Sequence, residues 1–189
     1  MTDPSTPYRV CVVCAGNICR SPIAEFVLRR RLDEAGLGDL VTVDSAGTGG
    51  WHAGQQADPR ALTALHDHGY DGSGHRARQF RREWFDDVDL VLALDRENYA
   101  DLSTLAPDDD ARAKVQLLRS YDTEAETGDD TDVPDPYYGD DTDVPDPYYG
   151  DAASFERVLL MIERAADGFV AAARDEIELD VPGGEPSRQ

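Results

Sequence analysis

Basic charge is what this chain has least of. Eighteen Lys and Arg residues stand against 39 Asp and Glu, for a net charge of −21. A field of that sign repels phosphate backbones and anionic lipid headgroups, so nucleic acid and membrane surfaces are excluded as expected partners. Long apolar runs are missing too. The opening MTDPSTPYRV has neither a basic nor an apolar region, and no stretch has the length and hydrophobicity needed to span a bilayer. A soluble, cytoplasmic protein is expected. Cysteine is scarce: Cys11, Cys14 and Cys19 fall within nine residues, an odd and crowded set that makes a poor disulfide framework. Cys11 and Cys14 form a C-x-x-C, but no second pair or clustered histidine completes a metal site, and residues three apart on a strand face opposite ways. No metal and no cofactor are expected, and Cys11 reads as a small core side chain.

What is present is an alternation of short aliphatic segments with helical ones. Residues 8–14 (YRVCVVC), 40–44, 89–94 (DLVLAL) and 114–118 have the composition of buried parallel strands. Between the first two, residues 21–35 place Ala24, Val27, Leu28, Leu32 and Ala35 on one helical face, with Pro22 in the first turn and Gly36 at the stop. Asp58 and Pro59 suit the cap and first position of a second helix ending near His68 and Gly69. From Phe155 to Ala173 the helical period persists for five turns. The expected fold class is α/β: a single-domain, open, four-stranded parallel sheet, doubly wound and flavodoxin-like, binding its ligand at the carboxyl ends of the strands. The expected organisation is a short N-terminal extension (1–7), the domain (8–179) and a disordered tail (180–189), whose VPGGEPSRQ ending suits disorder.

The first strand runs directly into CAGNICRSP, residues 14–22. Gly16 and Asn17 tolerate left-handed backbone angles, so the amides of Ala15, Gly16, Asn17, Ile18 and Cys19 can turn inward around one point and close on a helix N-terminus. Such a nest binds an anion. Arg20 can close the ring with a planar fork that matches two phosphoryl oxygens, and the positive surroundings favour Cys14 as a thiolate nucleophile. His66 and His68, two apart on a helix, diverge and are expected at a solvated surface.

VCAGNICRSPIAE resembles the signature of the low-molecular-weight protein tyrosine phosphatases. The blocks DSAGT (44–48), WHAG (51–54), GHRARQ (74–79), LALD (92–95) and DPYYG before the last helix follow in the family's order. The resemblance implies a metal-independent phosphatase acting on phosphotyrosine-containing proteins. Cys14 would be the nucleophile that forms a phosphocysteine, with Arg20 and the loop amides on the phosphoryl oxygens and Ser21 easing departure of the thiolate. Asn17 would hold the loop, supported by Ser45 and His75. Ile18, Trp51 and a tyrosine of Tyr148-Tyr149 would wall an aromatic slot. Cys19 would either pair reversibly with Cys14 or simply fill space beneath the loop.

An aspartate of the Asp-Pro turn would be the general acid, and here the chain offers two, because DDTDVPDPYYG occurs at 129–139 and again at 140–150. Upstream spacing from Asp122 suits Asp135; downstream spacing suits Asp146, since Gly150 lies five positions before Phe155 and Gly139 sixteen. Lengthening a loop costs less than about 1 kcal/mol in closure entropy, whereas the turn has to stay fixed to its helix. Asp146 is therefore the expected acid and Asp135 the alternative. The spare Tyr137-Tyr138, flanked by acids, would suit a cognate tyrosine kinase. Other readings are an arsenate reductase, which needs thiols beyond Cys19 that this chain lacks, a protein arginine phosphatase, which has threonine where Ile18 stands, and a non-catalytic phosphotyrosine-binding scaffold.

Overall fold

The computed structural model describes residues 6–124, Val133 and residues 150–180, with side chains as far as Glu176. Four parallel strands, β1 (Tyr8–Cys14), β2 (Val41–Gly47), β3 (Leu90–Ala93) and β4 (Val115–Leu117), form one sheet in the order β2-β1-β3-β4. The central β1 pairs with β2 through all seven residues, from Tyr8–Val41 to Cys14–Gly47, and with β3 from Val10–Leu90 to Val13–Ala93. The chain steps from β1 to β2 on one side and returns across β1 to reach β3. The crevice at the carboxyl ends of β1 and β3 is thus the topological switch point, where such sheets bind ligands.

Helices cover both faces. On one, Val10, Val12 and Cys14 pack with α1 (Arg20–Glu34), α2 (Pro59–Asp67) and the long α5 (Ala152–Asp180) around Leu28, Leu65, Phe155 and Ile162. On the other, Cys11 and Val13 meet Phe80, Phe85 and Leu102 of α3 (Arg96–Leu105). The two cysteines therefore look to opposite sides of the sheet, as strand alternation requires. Asp58 caps α2 by accepting from the Arg60 amide at 2.8 Å, ahead of Pro59. Gly168 lets α5 approach the chain before it: a Cβ there would lie 1.9 Å from the Tyr121 carbonyl oxygen.

Two helices have no counterpart in the sequence reading. α3 and the single turn α4 (Asp109–Ala113) are polar and short, and their starts rest on Asp95 and Asp108, whose carboxylates accept from Asn98 N and Ala111 N. β2 also runs three residues past 44, because Ser45, Ala46 and Gly47 stay paired with β1. α5 reaches Asp180, the first residue assigned to the tail. Residues 1–5 and 181–189 lie outside the described residues. Among the described residues no helix is long and apolar enough to cross a membrane.

Candidate active site

β1 ends at Cys14, and the loop through Cys19 delivers the chain to the first turn of α1 at Arg20. Asn17 is the one non-glycine among the described residues with positive φ, at 55°, a region that asparagine tolerates better than most residues. Its side chain is fully buried and satisfied at each end: Nδ2 donates to Ser21 Oγ (2.8 Å) and Ser45 Oγ (2.9 Å), and Oδ1 accepts from the Arg78 amide (2.9 Å). Its main-chain carbonyl accepts from His75 Nε2 at 2.7 Å. Ser45 and His75 thus both contact Asn17.

Cys14 is nearly buried, with Sγ 3.0 Å from Ser21 Oγ, a hydroxyl able to donate to negative charge on sulfur. Cys19 packs into the core beneath the loop. Gly47 permits the whole arrangement. A Cβ on it would lie 2.6 Å from the Ala15 carbonyl oxygen and 3.1 Å from the Asn17 amide nitrogen, so the loop crosses the end of β2 where no side chain fits.

Three contributors escaped the sequence reading. Glu25, one turn into α1 and 7% exposed, accepts from Ser45 Oγ at 2.5 Å and pairs with Arg29 at 2.7 Å. Arg78 holds Asn17 through its amide and the Ser45 carbonyl through Nε (2.9 Å). Asp95, at the end of β3, accepts from Arg20 Nη1 at 2.6 Å while capping α3. The available signal for Asp95 was its place in LALD at the switch point; Glu25 and Arg78 carried none beyond lying within VCAGNICRSPIAE and GHRARQ. Arg20 is 2% exposed, and its Nη1 also donates to the Val133 carbonyl at 2.9 Å. The guanidinium is fixed from the β3 side, with the loop on the other.

Burial holds His75 below its ordinary value, against the pull of the Asn17 carbonyl and the Glu25 carboxylate. Cys11, enclosed on the far face, has its thiol pushed well up by burial and then by Asp44. It is inert core.

Of the pocket residues, Ile18 is half-buried and Trp51 stands 72% exposed on the loop after β2. Asp135, Asp146, Tyr137, Tyr138, Tyr148 and Tyr149 lie outside the described residues. Two residues of the repeats are described. Val133 of the first copy is fully buried, with its amide donating to the Leu94 carbonyl at 2.7 Å. Gly150 of the second accepts from Arg60 Nη1 at 2.6 Å. His66 is solvent-exposed as expected, but His68 is not: it is about three-quarters buried and joins Glu156 at 2.7 Å, tying α2 to α5. No cluster of three or more His, Cys, Asp or Glu suited to a metal ion occurs among the described residues.

The family model for low molecular weight phosphotyrosine protein phosphatase matches residues 9–143. The chain belongs to that family. A low molecular weight protein-tyrosine-phosphatase of Streptomyces coelicolor is 53% identical over 90% of this chain and 96% of its own. Low molecular weight protein-tyrosine phosphatase A of Mycobacterium tuberculosis is 44% identical over 87% of this chain and 90% of its own. A protein tyrosine phosphatase from Entamoeba histolytica, solved with Hepes in its active site, superposes with a TM-score of 0.78 at 30% identity, covering 90% of this chain and 99% of that one. In this low molecular weight phosphatase the loop from Cys14 to Arg20 joins β1 to α1.

Proposed function

We propose that this phosphatase hydrolyses phosphotyrosine in proteins through a phosphocysteine on Cys14. The carrying observation is the contact between Cys14 Sγ and Ser21 Oγ at the mouth of a loop braced by Asn17, beside an arginine that Asp95 holds in place. In the first step Sγ attacks phosphorus as the bond to the tyrosyl oxygen breaks, and a carboxylic acid protonates the departing oxygen. The negative charge on the three equatorial oxygens is met by the loop amides, the N-terminus of α1 and Arg20. In the second, water attacks phosphorus, gives its proton to the same carboxylate, and the S–P bond breaks to return the thiolate. The Ser21 hydroxyl, 3.0 Å away, stabilises that leaving sulfur. No step requires a metal.

The acid is an aspartate of the Asp-Pro turns. Two anchors lie within the duplicated segment, one in each copy: Val133 on Leu94 and Arg20, and Gly150 on Arg60. Asp135 follows the first anchor by two residues, a reach of at most about 7 Å. Asp146 precedes the second by four. Because the first anchor rests on Arg20 itself, it favours Asp135, whereas spacing to α5 favours Asp146. Exposed Trp51 and half-buried Ile18 suit the aryl ring of the substrate. A tyrosine kinase is the class of enzyme that must supply such a substrate. The cytoplasm, where Cys14 stays reduced, is the compartment this chemistry needs.

The test is phosphate release from a phosphotyrosine peptide in the presence of a chelator. Wild type should turn over and prefer it to a matched phosphoserine peptide; equal rates on both would refute the aryl specificity.

A further inference from the structure

A cavity of about 500 Å³ opens behind the phosphate loop, between α1, β2 and the segment 74–78. It is lined by Arg29, Arg76, Arg78, His75, Glu25 and Asp44. In a chain of net charge −21, three guanidiniums against two carboxylates make this a cationic island. The carboxylates are already engaged: Glu25 by Arg29 at 2.7 Å and Asp44 by Arg78 at 2.7 Å. The arginines are not used up. Arg29 spends Nε on the Val43 carbonyl and Nη2 on Glu25; Arg78 spends Nε on the Ser45 carbonyl and Nη2 on Asp44; Arg76 donates one Nη1 bond to the His75 carbonyl. The Nη1 groups of Arg29 and Arg78 and the Nη2 group of Arg76 have no partner among the described residues, and the side chains of Arg29 and Arg78 are 47% and 43% exposed. Phe26, under Arg29 at 5.6 Å, and Trp84, under Arg78 at 4.7 Å, hold the two guanidinium planes in place. Pre-set planar forks with unused donors are what a phosphoryl group binds.

We propose that this cavity is a second oxyanion site, taking a phosphoryl dianion, and that its occupation lowers turnover. The coupling runs along contacts already on the page. Arg29 pairs with Glu25 (2.7 Å), Glu25 accepts from Ser45 Oγ (2.5 Å), Ser45 meets Asn17 Nδ2 (2.9 Å), Asn17 meets Ser21 Oγ (2.8 Å), and Ser21 meets Cys14 Sγ (3.0 Å). An anion that draws Arg29 from Glu25, or Arg78 from the Ser45 carbonyl, slackens the support of Asn17 and with it the loop that holds the transition state. The two sites bind the same chemistry, so free phosphate, the reaction's own product, and a phosphorylated side chain of a protein are both eligible.

The experiment is isothermal titration of the full chain carrying one equivalent of vanadate, which fills the catalytic loop, with inorganic phosphate and separately with a phosphoserine peptide. One further site is expected, weakened roughly tenfold or more by Arg76→Ala, which removes a charge-assisted donor and a single backbone contact. Binding of phosphate itself makes the product the ligand; binding of the peptide alone makes it a phosphorylated segment. In parallel, phosphate inhibition of aryl phosphate hydrolysis should be mixed for wild type and purely competitive for Arg76→Ala, because a product released last from the catalytic site competes only with substrate. Arg29→Gln gives a second variant on the same readouts. The proposal is overturned if vanadate-loaded wild type binds neither ligand, or if binding is unchanged in both variants. Neither result would touch the catalytic reading, which rests on turnover.

Discussion

Replacing Asn17 with alanine removes three side-chain hydrogen bonds at once and leaves a residue with a Cβ at φ 55°. Each buried partner left without its bond, Ser21 Oγ, Ser45 Oγ or the Arg78 amide, costs about 1–3 kcal/mol, although Ser21 Oγ keeps Cys14 Sγ and the Ala46 carbonyl and Ser45 Oγ keeps Glu25. The left-handed angle adds about 1–2 kcal/mol for alanine. A total of about 4 kcal/mol falls on the loop and is close to the whole stability of a weak domain. The loop sits at the carboxyl end of the sheet, outside the strand pairing, so it relaxes before the core melts. If the competent loop loses about 3–4 kcal/mol against its alternatives, its population and kcat fall roughly 10²- to 10³-fold. Asn17→Gly separates the causes: it accepts the backbone angle and loses the same bonds, so it should be roughly fivefold or more better than Asn17→Ala. The assay is steady-state hydrolysis of an aryl phosphate alongside thermal melts. A kcat for Asn17→Ala within about threefold of wild type, with the fold intact, would refute the claim that Asn17 holds the loop.

Gly47→Ala should cost activity more than stability, because the new Cβ lies 2.6 Å from the Ala15 carbonyl oxygen and pushes the loop, not the core; overpacking of this kind costs about 1–3 kcal/mol, read as a roughly 5- to 150-fold drop in kcat/KM. Asp95→Asn keeps the shape but removes the charge that holds Arg20 at 2.6 Å, and the expected loss is roughly tenfold or more in kcat/KM, with a smaller change in melting temperature. Asp135→Asn and Asp146→Asn, compared side by side, should differ, with loss of the general acid lowering kcat roughly 10²- to 10⁴-fold. A collapse in Asp135→Asn alone supports the Val133 anchor as the one that matters, a collapse in Asp146→Asn alone supports the Gly150 anchor on Arg60, and unchanged turnover in both single variants and in the double variant removes the Asp-Pro turn from the mechanism.

The strands and the loop were legible because their signals are local. Val10, Val12 and Val13 beside the cysteines announce a buried strand, and Gly-Asn followed by Ser-Pro announces a tight turn into a helix. α1, α2 and α5 follow from apolar periodicity and from Asp58 and Pro59. α3 escaped because Arg96–Leu105 buries only Asn98 and Leu102 and owes its start to a cap rather than to an apolar face. The inner support of the loop escaped for a different reason. Glu25 and Ser45 are 20 residues apart, Arg78 and Asn17 61, and Arg20 and Asp95 75, so each contact exists only once the sheet has brought strand ends together. His68 shows the same limit: helical spacing sets it apart from His66, and only the packing of α5 supplies Glu156.

The account rests on a covalent bond between phosphorus and Cys14. Wild type quenched in acid during steady-state hydrolysis of an aryl phosphate, digested and analysed by mass spectrometry, should carry one phosphoryl group on the peptide containing Cys14, and Cys14→Ser should carry none and release no phosphate. A phosphoryl group on His75 or another residue, or turnover near the wild-type rate in Cys14→Ser, would contradict it.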